Sequence, residues 1–245
     1  MKYIATAVLL ISVSLLWLAG SHLAHSQEAS NSQRLVDLSS RLLQVQQRAE
    51  RIRDINTIQN LQRSYGYYTD KMLWDHVVDL FSADATLEVG MSGVYQGKEH
   101  IRSYLYSLSG GEQGPHEGKL NEHLQFQPVI TLADNGLTAK ARWRTLMMLG
   151  ESGSGSGGQW GAGPYENEYI KEDGVWKISK LHWYPTFIVP YEGGWLQSGP
   201  DAVREYSVRD DIMPDQPSTQ PVNVYPDTYH PPFHFTNPVT GGTVQ

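Results

Sequence analysis

The sequence predicts an α+β domain, a cone-shaped α+β barrel in which three helices pack on a strongly curved antiparallel sheet, preceded by a further helix and followed by an extended tail. Three observations carry this expectation. Apolar residues recur at helical spacing up to about residue 108. Alternation with a period of two, punctuated by turn pairs, then governs residues 123–188. From residue 196 onward proline is frequent and the periodicity disappears. Helices first and a long antiparallel meander second is the order of an α+β fold.

The 245 residues suit one ordinary domain with extensions. A net charge of −7 and the lack of any Lys/Arg cluster argue against a nucleic-acid partner. Cysteine is absent, which excludes disulfides, thiolate metal sites and a cysteine nucleophile.

Residues 1–26 read as an export signal. Lys2 gives a positive start, residues 5–19 are apolar, and Ala24-His25-Ser26 offers small residues for cleavage. The run is shorter than the ~20 apolar residues of a spanning helix. Cleavage would make the protein periplasmic or secreted, with no membrane contact afterwards; an uncleaved N-terminal anchor is the alternative. Residues 27–53 form an amphipathic helix, with Leu35, Leu38, Leu42, Val45, Ala49 and Ile52 at alternating steps of three and four. That is the knob spacing of a coiled coil. Either an oligomerisation helix or a helix packed along its own domain satisfies it.

The cone domain is expected over residues 54–195. Ile55, Ile58, Leu61 and Tyr65 mark its first helix, which Tyr67, Tyr68 and Asp70 close. Trp74, Val77, Val78 and Phe81 give the second an apolar face, and Ile101, Tyr104, Leu105 and Leu108 the third. Strands follow at 123–132 and 137–149, joined by the turn Asp134-Asn135-Gly136. A Gly-rich run at 150–163 reads as flexible. A second pair follows at 165–171 and 175–188, turning at Asp173-Gly174. Residues 196–245 then form an extended tail. Its aromatic cluster, Tyr225, Tyr229, His230, Phe233, His234 and Phe235, implies that it lies along its own domain or a neighbouring subunit.

Four blocks, IQNLQRSYGYYTDKMLWD, LFSADATLEVG with VYQGKEHI, HLQFQPVITL and YENEYIKEDGVWKISKLHWYP, resemble the SnoaL-like branch of the nuclear transport factor 2-like superfamily. Within it the chain looks most like the scytalone dehydratase and hexachlorocyclohexane dehydrochlorinase group. The resemblance implies a pocket in the cone, a strand histidine as base at His123, and an orienting carboxylate at Asp70. A cationic arginine of the dehydrochlorinase group aligns with Leu181, and a first-helix lysine with Tyr65, which points away from dechlorination. Related enzymes are dimers or trimers, so a homo-oligomer is implied as well.

The chemistry that such a pair supports is proton removal. A carboxylate that accepts from one imidazole nitrogen fixes the tautomer and leaves the other nitrogen as base. Tyr65 or Tyr68 would donate to a departing oxygen. The expected activity is a cofactor-independent lyase or isomerase, dehydratase-type first, acting on a small apolar or aromatic oxygenated ligand. A non-catalytic exported binding protein and an oligomeric structural subunit are the alternatives. Tyr67, Trp74, Trp143, His182 and Tyr184 are the candidate pocket wall, with a core position the competing reading for the two tryptophans. Strand parity groups His182 with Trp176, Ile178 and Tyr184, though a bulge would swap faces. His230 and His234 lack partners at helical or hairpin spacing, so no metal site is expected.

Overall fold

The computed structural model describes residues 2–153, 157–220 and 223–244; of residues 2–26 and residue 29 it describes the backbone alone. The export segment expected at 1–26 lies outside the fully described residues. Among the described residues, no helix is long and apolar enough to cross a membrane. The chain divides into two compact units, residues 1–52 and residues 53–245.

Helix α1 (Lys2–Asp70) supplies the first unit and opens the second. No proline or glycine stands at 51–56, and Asp54 turns its carboxylate to Lys171 and Trp176 and not to a cap, so the two helices read from the sequence are one. In the first unit the heptad side chains Leu35, Leu38, Leu42, Val45 and Ile52 are 58–65% exposed.

In the second unit α1 buries Asp54, Ile58, Gln62, Tyr65 and Thr69. This face is rotated from the expected Ile55–Leu61 stripe and includes polar residues, of which Asp54 and Gln62 have partners on the sheet. Asp54 accepts from Lys171 Nζ at 2.8 Å and Trp176 Nε1 at 2.9 Å. Gln62 Oε1 accepts from Tyr169 Oη at 2.8 Å and Asn167 Nδ2 at 3.0 Å. Helices α2 (Trp74–Asp79) and α3 (Gly97–Ser107) add Trp74, Val77, Val78, Ile101, Tyr104 and Leu105 to the same core.

The strands are β1 (Phe81–Val89), β2 (Val94–Gln96), β3 (Lys119–Leu132), β4 (Thr138–Glu151), β5 (Gln159–Glu172), β6 (Val175–Trp183) and β7 (Phe187–Pro190). They form one seven-stranded sheet in the order β2-β1-β6-β5-β4-β3, with β7 on β5. Only the β1–β6 pair is parallel. Within the Gly-rich run expected to be flexible, residues 159–162 are strand, held between β4 and β7. The expected strand 175–188 is two, because the chain leaves the ladder at Tyr184-Pro185. That crossing passes so close to Gly163 that a Cβ there would sit 3.0 Å from Pro185 Cα.

Two bulges re-aim side chains. On β6, Ile178 faces Tyr169 while Lys180 faces Glu168, so Ser179 is the extra residue. Leu181 and Trp183 thereby join Trp176 and Ile178 in the core. On β3, Phe126 faces Arg144 and Val129 faces Arg142, with Gln127 in the left-handed region at φ 54°.

The stretch from residue 196 is not simply extended. It contains a 3-10 turn, Trp195–Gln197, and helix α4 (Pro200–Ser207), which buries Val203 and Ser207. Beyond α4 the chain straps across its own domain at three carboxylates, Asp215, Glu88 and Glu166. Asp215 accepts from the Gln96 amide at 2.7 Å and lies 2.8 Å from His100 Nδ1. Glu88 receives Ser218 and Thr219 and faces His182. Glu166 lies 2.9 Å from His234 Nδ1 and also pairs with Arg142. Arg142 in turn donates to the Pro231 carbonyl at 2.7 Å and sits 3.8 Å over the Phe233 ring.

Candidate functional site

The C-terminal end of α1 meets the start of β3 at an unusually short distance, and Gly66 permits it. A Cβ at Gly66 would lie 3.0 Å from the His123 carbonyl oxygen and 2.9 Å from Gln125 Cγ. Glycine inside a helix costs about 1 kcal/mol against alanine. Here it lets the helix lie directly on the strand, one turn before Asp70. Asn121 Nδ2 ties the same end of the helix down by donating to the Thr69 carbonyl at 2.7 Å.

Asp70 and His123, 53 positions apart, therefore meet. Asp70 Oδ1 accepts the His123 backbone N–H at 2.6 Å, and the same oxygen is 3.8 Å from His123 Nδ1. The ring nitrogen is buried and makes no hydrogen bond at that distance. His123 Nε2 points to Tyr206 Oη, 3.5 Å away. His123 and Tyr206 line a cavity of about 260 Å³ together with Thr69, Met72, Trp74, Asn121 and Arg209, with Asp70 behind His123 and not in the lining. That is near the small end of ligand pockets, which run about 300–1,000 Å³.

Burial sets the charge states. It lowers the His123 imidazole to about 4, so the ring is neutral at pH 7. It also pushes the Asp70 carboxyl up, against the hydrogen bond from the His123 amide. Tyr65 is raised to about 12 by the same cause. These shifts carry a stability consequence. Below pH 6.5 the unfolded chain takes up a proton that folded His123 refuses until about 4. Stability therefore falls as pH drops through that window, by up to roughly 3 kcal/mol for this one group. Buried His182, also lowered to about 4, acts in the same sense, and the raised Asp70 offsets part of the loss. Urea unfolding at pH 7 and pH 4.5 measures the difference; equal midpoints would contradict a buried neutral His123.

The other expected site residues are divided. Trp74 lines the cavity, its Nε1 donating to Ser109 Oγ at 2.8 Å. Tyr65 is buried beneath it, edge-on to Tyr165 at 6.1 Å. Tyr67 points to solvent, 73% exposed, because it lies on the outer side of α1. Tyr68 turns toward α2 and packs on His76 at 5.6 Å. Trp143 belongs to the core, where Nε1 donates to Tyr169 Oη at 2.9 Å. His182 and Tyr184 stack on each other at 3.8 Å, on the sheet face opposite Leu181 and Trp183. The bulge at Ser179 put them there, so they wall the strap and not the cavity.

The cavity residues missed in the sequence include Tyr206 and Arg209. Tyr206 sits on α4, edge-on to Trp183 at 5.7 Å, with its hydroxyl 3.5 Å from Met147 Sδ. The signal was present: Pro200 at a helix start, then Val203, Tyr206 and Ser207 on one face. The prolines further along concealed it.

Known proteins show the same fold. A hexachlorocyclohexane dehydrochlorinase, LinA-type3 from Novosphingobium barchaimii, superposes with a TM-score of 0.52 at 21% identity, over 59% of this chain and 94% of that one. LinA itself gives 0.51 at 19% identity, over 59% and 94%. A protein from Novosphingobium aromaticivorans assigned as a scytalone dehydratase gives 0.51 at 17%, over 58% and 91%. At these identities the likeness is one of fold. None of the curated proteins compared with it matches. Residues 50–182, more than half of the chain, match the SnoaL-like domain, and the protein belongs to that family.

Proposed function

We propose that the protein is a cofactor-independent lyase of the dehydratase type, acting on a small, largely apolar, oxygenated molecule. The observation that carries this is a buried, neutral His123 whose Nδ1 faces Asp70 while Nε2 opens on the cavity beside a tyrosine hydroxyl. Nδ1–H donates toward Asp70 once the 3.8 Å gap closes on a bound ligand; such bonds are often long in an empty site. Nε2 then takes the proton from the carbon next to a carbonyl. The C–O bond at the neighbouring carbon breaks, a C=C bond forms, and Tyr206 gives its proton to the departing oxygen, releasing water. Proton return from Nε2 to the tyrosinate, 3.5 Å away, closes the cycle. Tyr206, not Tyr68, is the donor in this reading, and Tyr65 packs behind it.

The test is solvent deuterium. A β-hydroxy carbonyl compound that is a substrate yields the conjugated product, followed by its ultraviolet absorbance, and the reverse reaction in D₂O places deuterium next to the carbonyl. Ligands that bind yet show neither turnover nor exchange would leave a non-catalytic binding protein on the same cone.

A second reading concerns the first unit, and the exposed heptad favours it. We propose that residues 27–52 associate with a second copy of themselves as a parallel coiled coil. With Leu35, Leu42 and Ala49 at position a and Leu38, Val45 and Ile52 at d, Arg34, Arg41 and Arg48 occupy g. Parallel chains set these against Ser39, Gln46 and Arg53 at e; antiparallel chains would oppose arginine rows directly. Leu42→Asp should then convert an oligomer into a monomer in light scattering on the full chain. A parent that is already monomeric at tens of micromolar sinks this reading.

A further inference from the structure

The cavity lining is not electrically neutral. It contains Arg209 and Lys119 as cations and Glu151 as a carboxylate, while His123 is uncharged. Arg209 sits just past the end of α4, where the last turn leaves carbonyls unpaired. Its Nη2 donates to one of them, the Tyr206 carbonyl, which fixes the side chain. Its Nε is buried and has no hydrogen-bond partner. Among the described residues no carboxylate pairs with this guanidinium. A buried N–H of a permanent cation is costly to leave unpaired, and Arg209 lines the His123 cavity as well as a cleft it shares with Asp201, Glu205, Asp210 and Asp211.

We propose that the cavity takes a substrate bearing a carboxylate, and that Arg209 binds this group while His123 faces the reacting carbon. On binding, the guanidinium turns toward the cavity and offers paired N–H groups to the two oxygens of a planar anion. Lys119 adds a second positive charge to the same lining. The volume of about 260 Å³ restricts the remainder of the molecule to a small apolar body, of the size of a single ring. Arg209 and Tyr206 lie beyond residues 50–182, the span shared with the family, so anion selection is a property of this chain's own C-terminal segment. The inference rests on the cavity beside His123 being the substrate site, but not on the reaction performed there.

The experiment uses matched pairs of probes on the full chain: cinnamate with methyl cinnamate, and mandelate with methyl mandelate, by calorimetry and thermal shift. The expected result is that the acids bind about tenfold or more tightly than their esters. Arg209→Gln should remove that preference, bringing the acid to the level of the ester. His123→Ala should keep the preference for acids even where turnover is lost, which separates failure of the chemistry from failure of anion recognition. Arg209→Lys, which retains the charge but not the fork, should keep part of the acid preference and guards against misfolding of the Gln variant. Esters binding as well as acids, an unchanged acid preference in Arg209→Gln, or no binding by any acid overturns the proposal.

Discussion

His123→Ala lowers turnover by about 10²–10⁴-fold, the usual contribution of a positioned general base, and leaves ligand affinity nearly intact. The asymmetry follows from the geometry. The ring contributes a modest part of the cavity wall, but Nε2 is the basic atom nearest the proposed donor, Tyr206 Oη. Asp70→Asn should cost less in rate than His123→Ala. It retains an oxygen for the His123 amide but no longer holds the charge that favours Nδ1–H. The pH profile discriminates further. With the imidazole lowered to about 4 by burial, the acid limb of kcat/KM should lie well below 6.5. A limb near 6.5 would mean that the group titrating in solution is exposed, and that His123 is not the base. An unchanged kcat in His123→Ala would end the dyad mechanism outright.

Glu88→Ala destabilises the fold by about 3 kcal/mol, since a buried donor left without its acceptor costs about 1–3 kcal/mol. Glu88 is 2% exposed and receives Ser218 Oγ at 2.8 Å, the Thr219 amide at 2.7 Å and Thr219 Oγ1 at 2.6 Å. His182 Nε2 stands 3.4 Å from its other face. Truncation leaves those donors buried without an acceptor, and it unlatches the strap at its middle anchor. The expected fall in Tm is on the order of 10 °C. A second readout is limited proteolysis: cleavage beyond residue 208 should accelerate by more than cleavage in the sheet. Because α4 precedes the strap directly in the chain, loss of Tyr206 from the cavity should follow, with a drop in activity. Glu88→Gln, which keeps shape and one acceptor oxygen, should fall between the two. A Glu88→Ala protein as stable and protease-resistant as the parent would show that the strap is held elsewhere, at Asp215 or Glu166.

Much of the candidate site was legible because its two ends are short-range features. Asp70 closes a helix whose apolar spacing is plain, and His123 lies in a strand of clear alternation. Their meeting followed from a family resemblance that the match over residues 50–182 supports. Pocket walls were less legible because a strand's face is a parity, and parity does not survive an inserted residue. The extra Ser179 turned His182 and Tyr184 away from the cone. In the same way Tyr67 and Tyr68 share a helix end with Asp70, yet successive helical positions point about 100° apart. α4 was hidden by prolines that read as a tail, although its first proline is at a helix start.

By itself the sequence determined the order of helices and strands and the heptad of the first unit, because both are local periodicities written residue by residue. Asp70 and His123 were implied by the family resemblance. The tertiary structure alone decided that Gly66 lets α1 touch β3, that bulges choose which aromatics face inward, and that α4 and its C-terminal end seat Tyr206 and Arg209 in the cavity. Each of these is a contact between segments far apart in the chain, fixed by packing distance and buried hydrogen bonds. Spacing along a sequence carries no information about such distances until the sheet has curved and the strap has closed over it.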